Sequence, residues 1–154
     1  MDKIIGFSDL KIGQRVKVKG NPAEGGRFMA VEIGVKPPDE AASIEGKIQG
    51  VEPQQSILRI MHREVALTNG VEILNLQRNN IGLKDLKVGE FVKLKGAYSA
   101  TGGFVPHKIK IQEPRGLAIE ELQGGINNID FATQALEVLG FTVEVNEKTE
   151  IEGF

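Results

Sequence analysis

Apolar and polar residues alternate along much of this chain, and one version of the pattern occurs twice. Asp9-Leu10-Lys11-Ile12-Gly13 leads into residues 14–19, where Val16 and Val18 point one way and Arg15, Lys17 and Lys19 the other. Asp85-Leu86-Lys87-Val88-Gly89 leads into residues 91–95, where Val92 and Leu94 oppose Lys93 and Lys95. A period of two is that of a half-buried strand. Residues 27–35 alternate as well, and Met29, Val31, Ile33 and Val35 are expected to share the inward face. The turn residues between these runs make them a hairpin. Pro37-Pro38 breaks the pattern, because proline removes a ladder donor and fixes φ. Further strands are expected at 43–51, with Ile44 and Ile48 inward, then at 56–61, 64–68 and 71–74. Asn69-Gly70 is a strong turn pair. The polar stretch 77–80 reads as a linker.

The second half repeats this order. Residues 104–111 match 28–35 at an offset of 76, and residues 143–151 match 65–73 at an offset of 78. Self-similarity at a nearly fixed spacing marks a repeated structural unit. It also bears on residues 130–140, where Asp130 could cap a helix and Phe131, Ala135 and Leu139 could form its apolar face. The matching stretch 52–62 contains Pro53 and Ile57-Leu58-Arg59-Ile60, so residues 134–139 are expected to be a strand. A partial third copy joins the ends, where Ile4-Ile5-Gly6-Phe7 resembles Ile151-Glu152-Gly153-Phe154.

Composition narrows the functional classes. A chain of 154 residues holds one large domain or two small ones. A net charge of −2 provides no global attraction to nucleic acid or to a membrane surface. Without cysteine there are no disulfides, thiolate chemistry or cysteine zinc sites. No apolar run approaches the ~20 residues of a membrane span, and residues 1–6 lack the apolar region of a signal peptide. The expected location is the cell envelope or exterior if this is a mature portion of a longer product, and otherwise the cytoplasm. Charge is unevenly spread: residues 1–36 carry +3, 37–81 carry −2, 82–118 carry +4 and 119–154 carry −7.

The order Glu-Gly-x-Ile-x-x-Val, short strands, Asp-Leu-Lys-Val-Gly-x-x-Val-x-Leu-x-Gly, then Gly-Gly-Phe-Val-x-x-x-Ile-x-Ile is borne by Glu45, Gly46, Ile48 and Val51, by residues 85–96 and by residues 102–111. It resembles a bacterial family of small β-barrel repeats, the domain of unknown function 5666. The resemblance covers nearly the whole chain twice. It implies OB-type five-stranded barrels, often in tandem in exported proteins, with no activity and no binding residues to carry over. The expected fold class is all-β, with two tandem OB-like five-stranded barrels and short helical turns near 8–11 and 84–87. Two groupings of strands satisfy the repeat. One is sequential, 1–78 and 79–154, and is preferred because neighbouring elements usually pack together. In the other, 43–112 is continuous, and 1–36 with 119–154 form a barrel closed by both ends.

The candidate contact surface consists of Arg15, Lys17 and Lys19 with Lys93 and Lys95, joined by Phe91 and Tyr98 as possible stacking rings. OB barrels bind polymers on such faces, and bases stack on aromatic rings between cations. Lysines also serve simply to solvate a strand face. His107 takes the place of Val31 on the expected inward face, and His62 falls at a bend. Neither has the company that a metal site requires. Asp39-Glu40 and Glu120-Glu121 lie in a connector and at a strand start, with nothing to mark them as an acid/base pair. The serines lack a nucleophile elbow, and the paired glycines open no phosphate-binding helix. The sequence therefore predicts a non-enzymatic binding or interaction module without a cofactor. Its expected partner is an unknown polymer or protein. Single-stranded nucleic acid is the competing ligand, and homotypic association is a further possibility from the +4 and −7 pieces.

Overall fold

The computed structural model describes residues 3–113 and 119–153. The chain is all-β: among the described residues the only helical segments are 3-10 turns at Phe7–Asp9, Pro53–Gln55 and Leu83–Asp85. The first and third are built alike. The Asp9 carboxylate accepts from the Gly6 amide at 2.9 Å, and Asp85 accepts from Gly82 at 2.8 Å. Gly13 and Gly89 then turn the chain at φ +94°, a left-handed conformation that favours glycine.

Each turn launches a long hairpin. β2 (Arg15–Ala23) pairs antiparallel with β3 (Arg27–Lys36), as β8 (Phe91–Ser99) pairs with β9 (Gly103–Gln112). The two long strands β4 (Ala42–Glu52) and β10 (Glu120–Asp130) are each shared between partners. β4 pairs with β8 through its first half and with β5 (Ile57–Ile60) through its second. β10 does the same with β2 and then with β11 (Ala135–Val138). β5 continues into β6 (Arg63–Ala66), and β11 into β12 (Phe141–Glu144). Their two-residue turns, Met61-His62 and Leu139-Gly140, have positive φ at both positions, as a tight hairpin of this hand demands. β7 (Glu72–Leu74) runs parallel to β9, while β12 and β13 (Glu150–Gly153) run parallel to β3. β1 (Lys3–Ile4) pairs with β13. The expected strand over 134–139 is therefore present at β11, where a helix was the alternative.

The start of β4 and the start of β10 pair with each other, placing Ile44 opposite Leu122. This joins all strands into one sheet system and aligns a row of inward residues: Ile33, Val18, Leu122, Ile44, Leu94 and Ile109. All are at most 3% exposed and belong to a single hydrophobic cluster. Burying each such side chain contributes about 1.5–3 kcal/mol, so the contact between β4 and β10 is part of the core.

One expected alternation fails. Val31 is 45% exposed, while Phe28 and Ala30 are buried. The register of β2 with β3 slips between Lys19 and Gly20, leaving Val31 as the extra residue of a bulge and exchanging the faces on either side of it. His107 occupies the same bulge in β9 and is exposed, so it does not point inward either. The bulge exists because the neighbouring backbone comes very close. A Cβ at Gly20 would lie 2.0 Å from the Met29 carbonyl oxygen, and one at Gly96 2.0 Å from that of Val105.

Candidate binding face

The residues that alternate with the core row lie on the opposite face of the sheet. Strand register sets them in two rows. The first is Glu32, Lys19, Glu121, Glu45, Lys93, Lys110, and the second is Gly34, Lys17, Gln123, Ser43, Lys95, Lys108. The two cationic stripes expected from sequence thus stand on one continuous face, three strands apart, with β10 and β4 between them.

The β8–β9 side is the more basic. Lys93 stands opposite Lys110, and Lys95 opposite Lys108. Like charges directly opposed on neighbouring strands are unfavourable by themselves. Glu45 offsets Lys93 at 3.7 Å, and Glu72 offsets Lys108 at 3.6 Å. Among the described residues Lys95, Lys110 and Arg78 have no carboxylate at ion-pair distance. Burial and then the positive charges of Lys108, Lys95, Arg78 and Lys93 lower the Lys110 ammonium from its ordinary value. Lys108 and Lys110 alternate in sequence as Lys93 and Lys95 do. That signal was available, but their position opposite β8 lysines was not.

The centre of the face is acidic and covered. Glu45 and Glu121 are directly opposite each other and are 4% and 5% exposed. Gln112 donates its side-chain amide to the Glu45 carboxylate at 3.0 Å, and the Lys17 ammonium lies 3.6 Å from Glu121. Burial, followed by the Glu45 charge, raises the Glu121 carboxyl above its usual range, against the pull of Lys17 and Lys19. Glu120 is raised too, chiefly by burial, although it accepts from the Lys47 amide at 3.2 Å. The adjacency of Glu120 and Glu121 in sequence carries no sign of this burial.

The remaining candidates fall elsewhere. Arg15 faces Gln123, whose side-chain oxygen can accept from both terminal guanidinium nitrogens at 3.3 Å, and it donates to the Ala41 carbonyl at 3.4 Å. Phe91 lies on the lysine face but is 3% exposed, so its ring presents no open stacking surface. Tyr98 is half-buried and packs against the hydrophobic cluster on the other side of the strand. Exposed apolar residues include Ile12 and Val88, at the tips of the two equivalent glycine turns.

A second junction lies off this face. Arg63 of β6 donates to the carbonyls of Leu139, at 3.3 Å, and Gly140, and its guanidinium stacks over Phe141 of β12 at 3.9 Å. Burial lowers the Arg63 guanidinium from its ordinary value. The depression beside it, about 350 Å³, is lined by residues including Ile44, Val65, Phe104 and Leu139.

Among the described residues no three His, Asp or Glu side chains cluster as a metal site, and no helix is long and apolar enough to cross a membrane. Fold and face together define an all-β protein with a mixed-charge sheet face. The model of one family, described as Domain of unknown function (DUF5666), matches residues 2–34, which hold β1, β2 and most of β3. No curated protein and no solved structure matches the chain.

Proposed function

We propose that the chain is a non-enzymatic binding module whose strands form two OB-like barrels sharing one sheet, and that the lysines of β8 and β9 contact an acidic polymer. In this reading β4–β9 make up one barrel, and the other is closed by strands from both chain ends. The strand partners support that grouping. β10, β11, β13, β2 and β3 pair among themselves as β4, β5, β7, β8 and β9 do, with the same bulge and the same parallel pairing of β13 and β7. β12 pairs with β11 as β6 does with β5, and in addition pairs with β3, whereas among the described residues β6 pairs only with β5.

The observation that carries the ligand class is the opposition of Lys93 to Lys110 and of Lys95 to Lys108, with Arg78 close by. Crowded ammonium groups relieve their mutual repulsion by gathering anions. With Phe91 covered and Tyr98 turned toward the core, recognition rests on charge, and base stacking contributes little.

Labelled heparin, a sulfated polymer, tests this at low ionic strength. Binding should weaken steeply with salt, and Lys95→Glu with Lys110→Glu should reduce it about 10-fold or more. A thymine oligonucleotide should bind more weakly than heparin. Absence of heparin binding at low salt, or a charge-reversed variant that binds as the parent does, overturns the proposal.

A further inference from the structure

We infer that Glu45 and Glu121 share one proton, and that taking up this proton releases Lys17 and Lys93 to an anionic ligand on the same face. The inference rests on the reading of that face as a contact surface for an acidic polymer, and it concerns how the surface is regulated.

The geometry is specific. The two carboxyl groups come from different long strands and meet where β4 and β10 pair, at 4% and 5% exposure. Two buried carboxylates side by side disfavour double ionisation, and one proton held between them removes the repulsion. The groups that face the pair from the neighbouring strands are cationic or neutral, and the other carboxylate on the same register row, Glu32 of β3, stands beyond Lys19. β2 brings Lys17 and Lys19, β8 brings Lys93 and Lys95, and β9 brings Lys110 and the Gln112 amide. On the pair's own strands stand Lys47 and Glu120, and Glu120 binds the Lys47 amide.

Two of these lysines are tied to the pair, Lys93 to Glu45 at 3.7 Å and Lys17 to Glu121 at 3.6 Å. While both carboxylates are charged they serve as internal counter-ions, competing with any external anion for the same ammonium groups. A single proton removes one negative charge from the middle of the face. It leaves the neutral acid able to donate to its neighbour, so the pair stays satisfied without both lysines. The basic side of the face then extends from β9 across to β2. Positive φ, bulges and core packing have no part in this switch. It needs only the placement of two glutamates on one register line.

The test measures affinity for labelled heparin, whose sulfates keep their charge, from about pH 8 to about pH 5. The parent protein should bind roughly 3- to 10-fold more tightly at the acid end than its histidines explain. Glu121→Gln, which carries the neutral form permanently, should bind tightly at pH 8 and lose that part of the slope. Glu45→Gln is the second variant should the first fail to fold. Binding should also take up protons, seen as a buffer-dependent heat in calorimetry, and this uptake should shrink in either variant. An unchanged pH slope and proton uptake in a folded variant overturn the inference while leaving the binding face intact. If heparin does not bind at any pH, the binding proposal fails. The shared proton is then read directly from the carboxyl resonances of Glu45 and Glu121: two independent titrations at ordinary glutamate values overturn it, and one raised, coupled titration upholds it.

Discussion

The guanidinium carbon of Arg63 lies 3.9 Å from the ring centre of Phe141, and each residue opens the second strand of a short hairpin. Ile44 and Leu122, near the starts of the two long strands, also meet, strand against strand. At the first of these contacts a cation lies on an aromatic ring.

Arg63→Ala should lower stability by roughly 1–3 kcal/mol, since it leaves the carbonyls of Leu139 and Gly140 without their donor and removes the stacked cation. Arg63→Lys should restore little, because an ammonium cannot serve both carbonyls and lie flat on Phe141. Urea unfolding of the three proteins measures this, and a lysine variant as stable as the parent would show that charge alone matters.

Leu122→Ala should cost roughly 2–5 kcal/mol, as expected for a fully buried leucine. Because Leu122 sits between Val18 and Ile44, the loss should be felt in both halves. Hydrogen exchange would report it as weaker protection in β2 and β4 together. Protection lost in β2 alone would mean that the two halves unfold separately.

Gly96→Ala and Gly125→Ala form a contrast. A Cβ at Gly96 would fall 2.0 Å from a backbone oxygen, whereas one at Gly125 meets nothing within 4 Å. The first should destabilise by more than about 2 kcal/mol, and the second should lie within about 0.5 kcal/mol of the parent. Equal melting temperatures for the two variants would rule out the close approach at the bulge.

Stability should fall as pH rises through the raised titrations of Glu121 and Glu120. The sign follows from linkage. A carboxyl whose folded value lies above its unfolded value stabilises fully below the unfolded value, and this contribution is lost as pH climbs through the folded one. Glu121→Gln should flatten that part of the profile and melt about 2–4 °C above the parent near neutral pH. A melting profile of the same shape in the variant would contradict the assignment.

Joining the chain ends with a short linker and opening residues 75–79 should give a folded permutant. Lys3 pairs with Gly153, and the Ile5 amide donates to Ile151 at 3.0 Å, just as Ile81 donates to Ile73 at 2.9 Å beside the 75–79 loop. The two places are structurally equivalent, so cutting one and sealing the other preserves every strand partner. Loss of the β-sheet circular dichroism signal in the permutant would count against that equivalence.

Much of the fold is legible in the residues. The Asp-Leu-Lys-x-Gly turns, the alternation of Val16 and Val18 with Lys17 and Lys19, and the turn pairs all form where expected, because each depends on local chemistry. Val31 and His107 escaped that logic. Their bulges arise where Gly20 and Gly96 let a neighbouring strand approach, and a one-residue slip exchanges the faces without changing the composition of the strand. The covered state of Phe91 escaped it as well, since an aromatic that alternates with lysines has the pattern of an exposed ring.

The sequence by itself determined an all-β chain, the location of its strands, and the residues opposed to the core along β2 and β8. Local hydrogen bonding, glycine geometry and a two-residue period are sufficient for that. Only the tertiary structure decided which strands are neighbours. Backbone ladders carry no identity, and β4 and β10 present nearly the same alternation, so β2 could satisfy its apolar face against either. Its pairing with β10 sets Lys19 beside Glu121, the pairing of β10 with β4 brings Glu121 to Glu45, and together they spread the lysines over one face. The charge of that face is therefore a product of strand order.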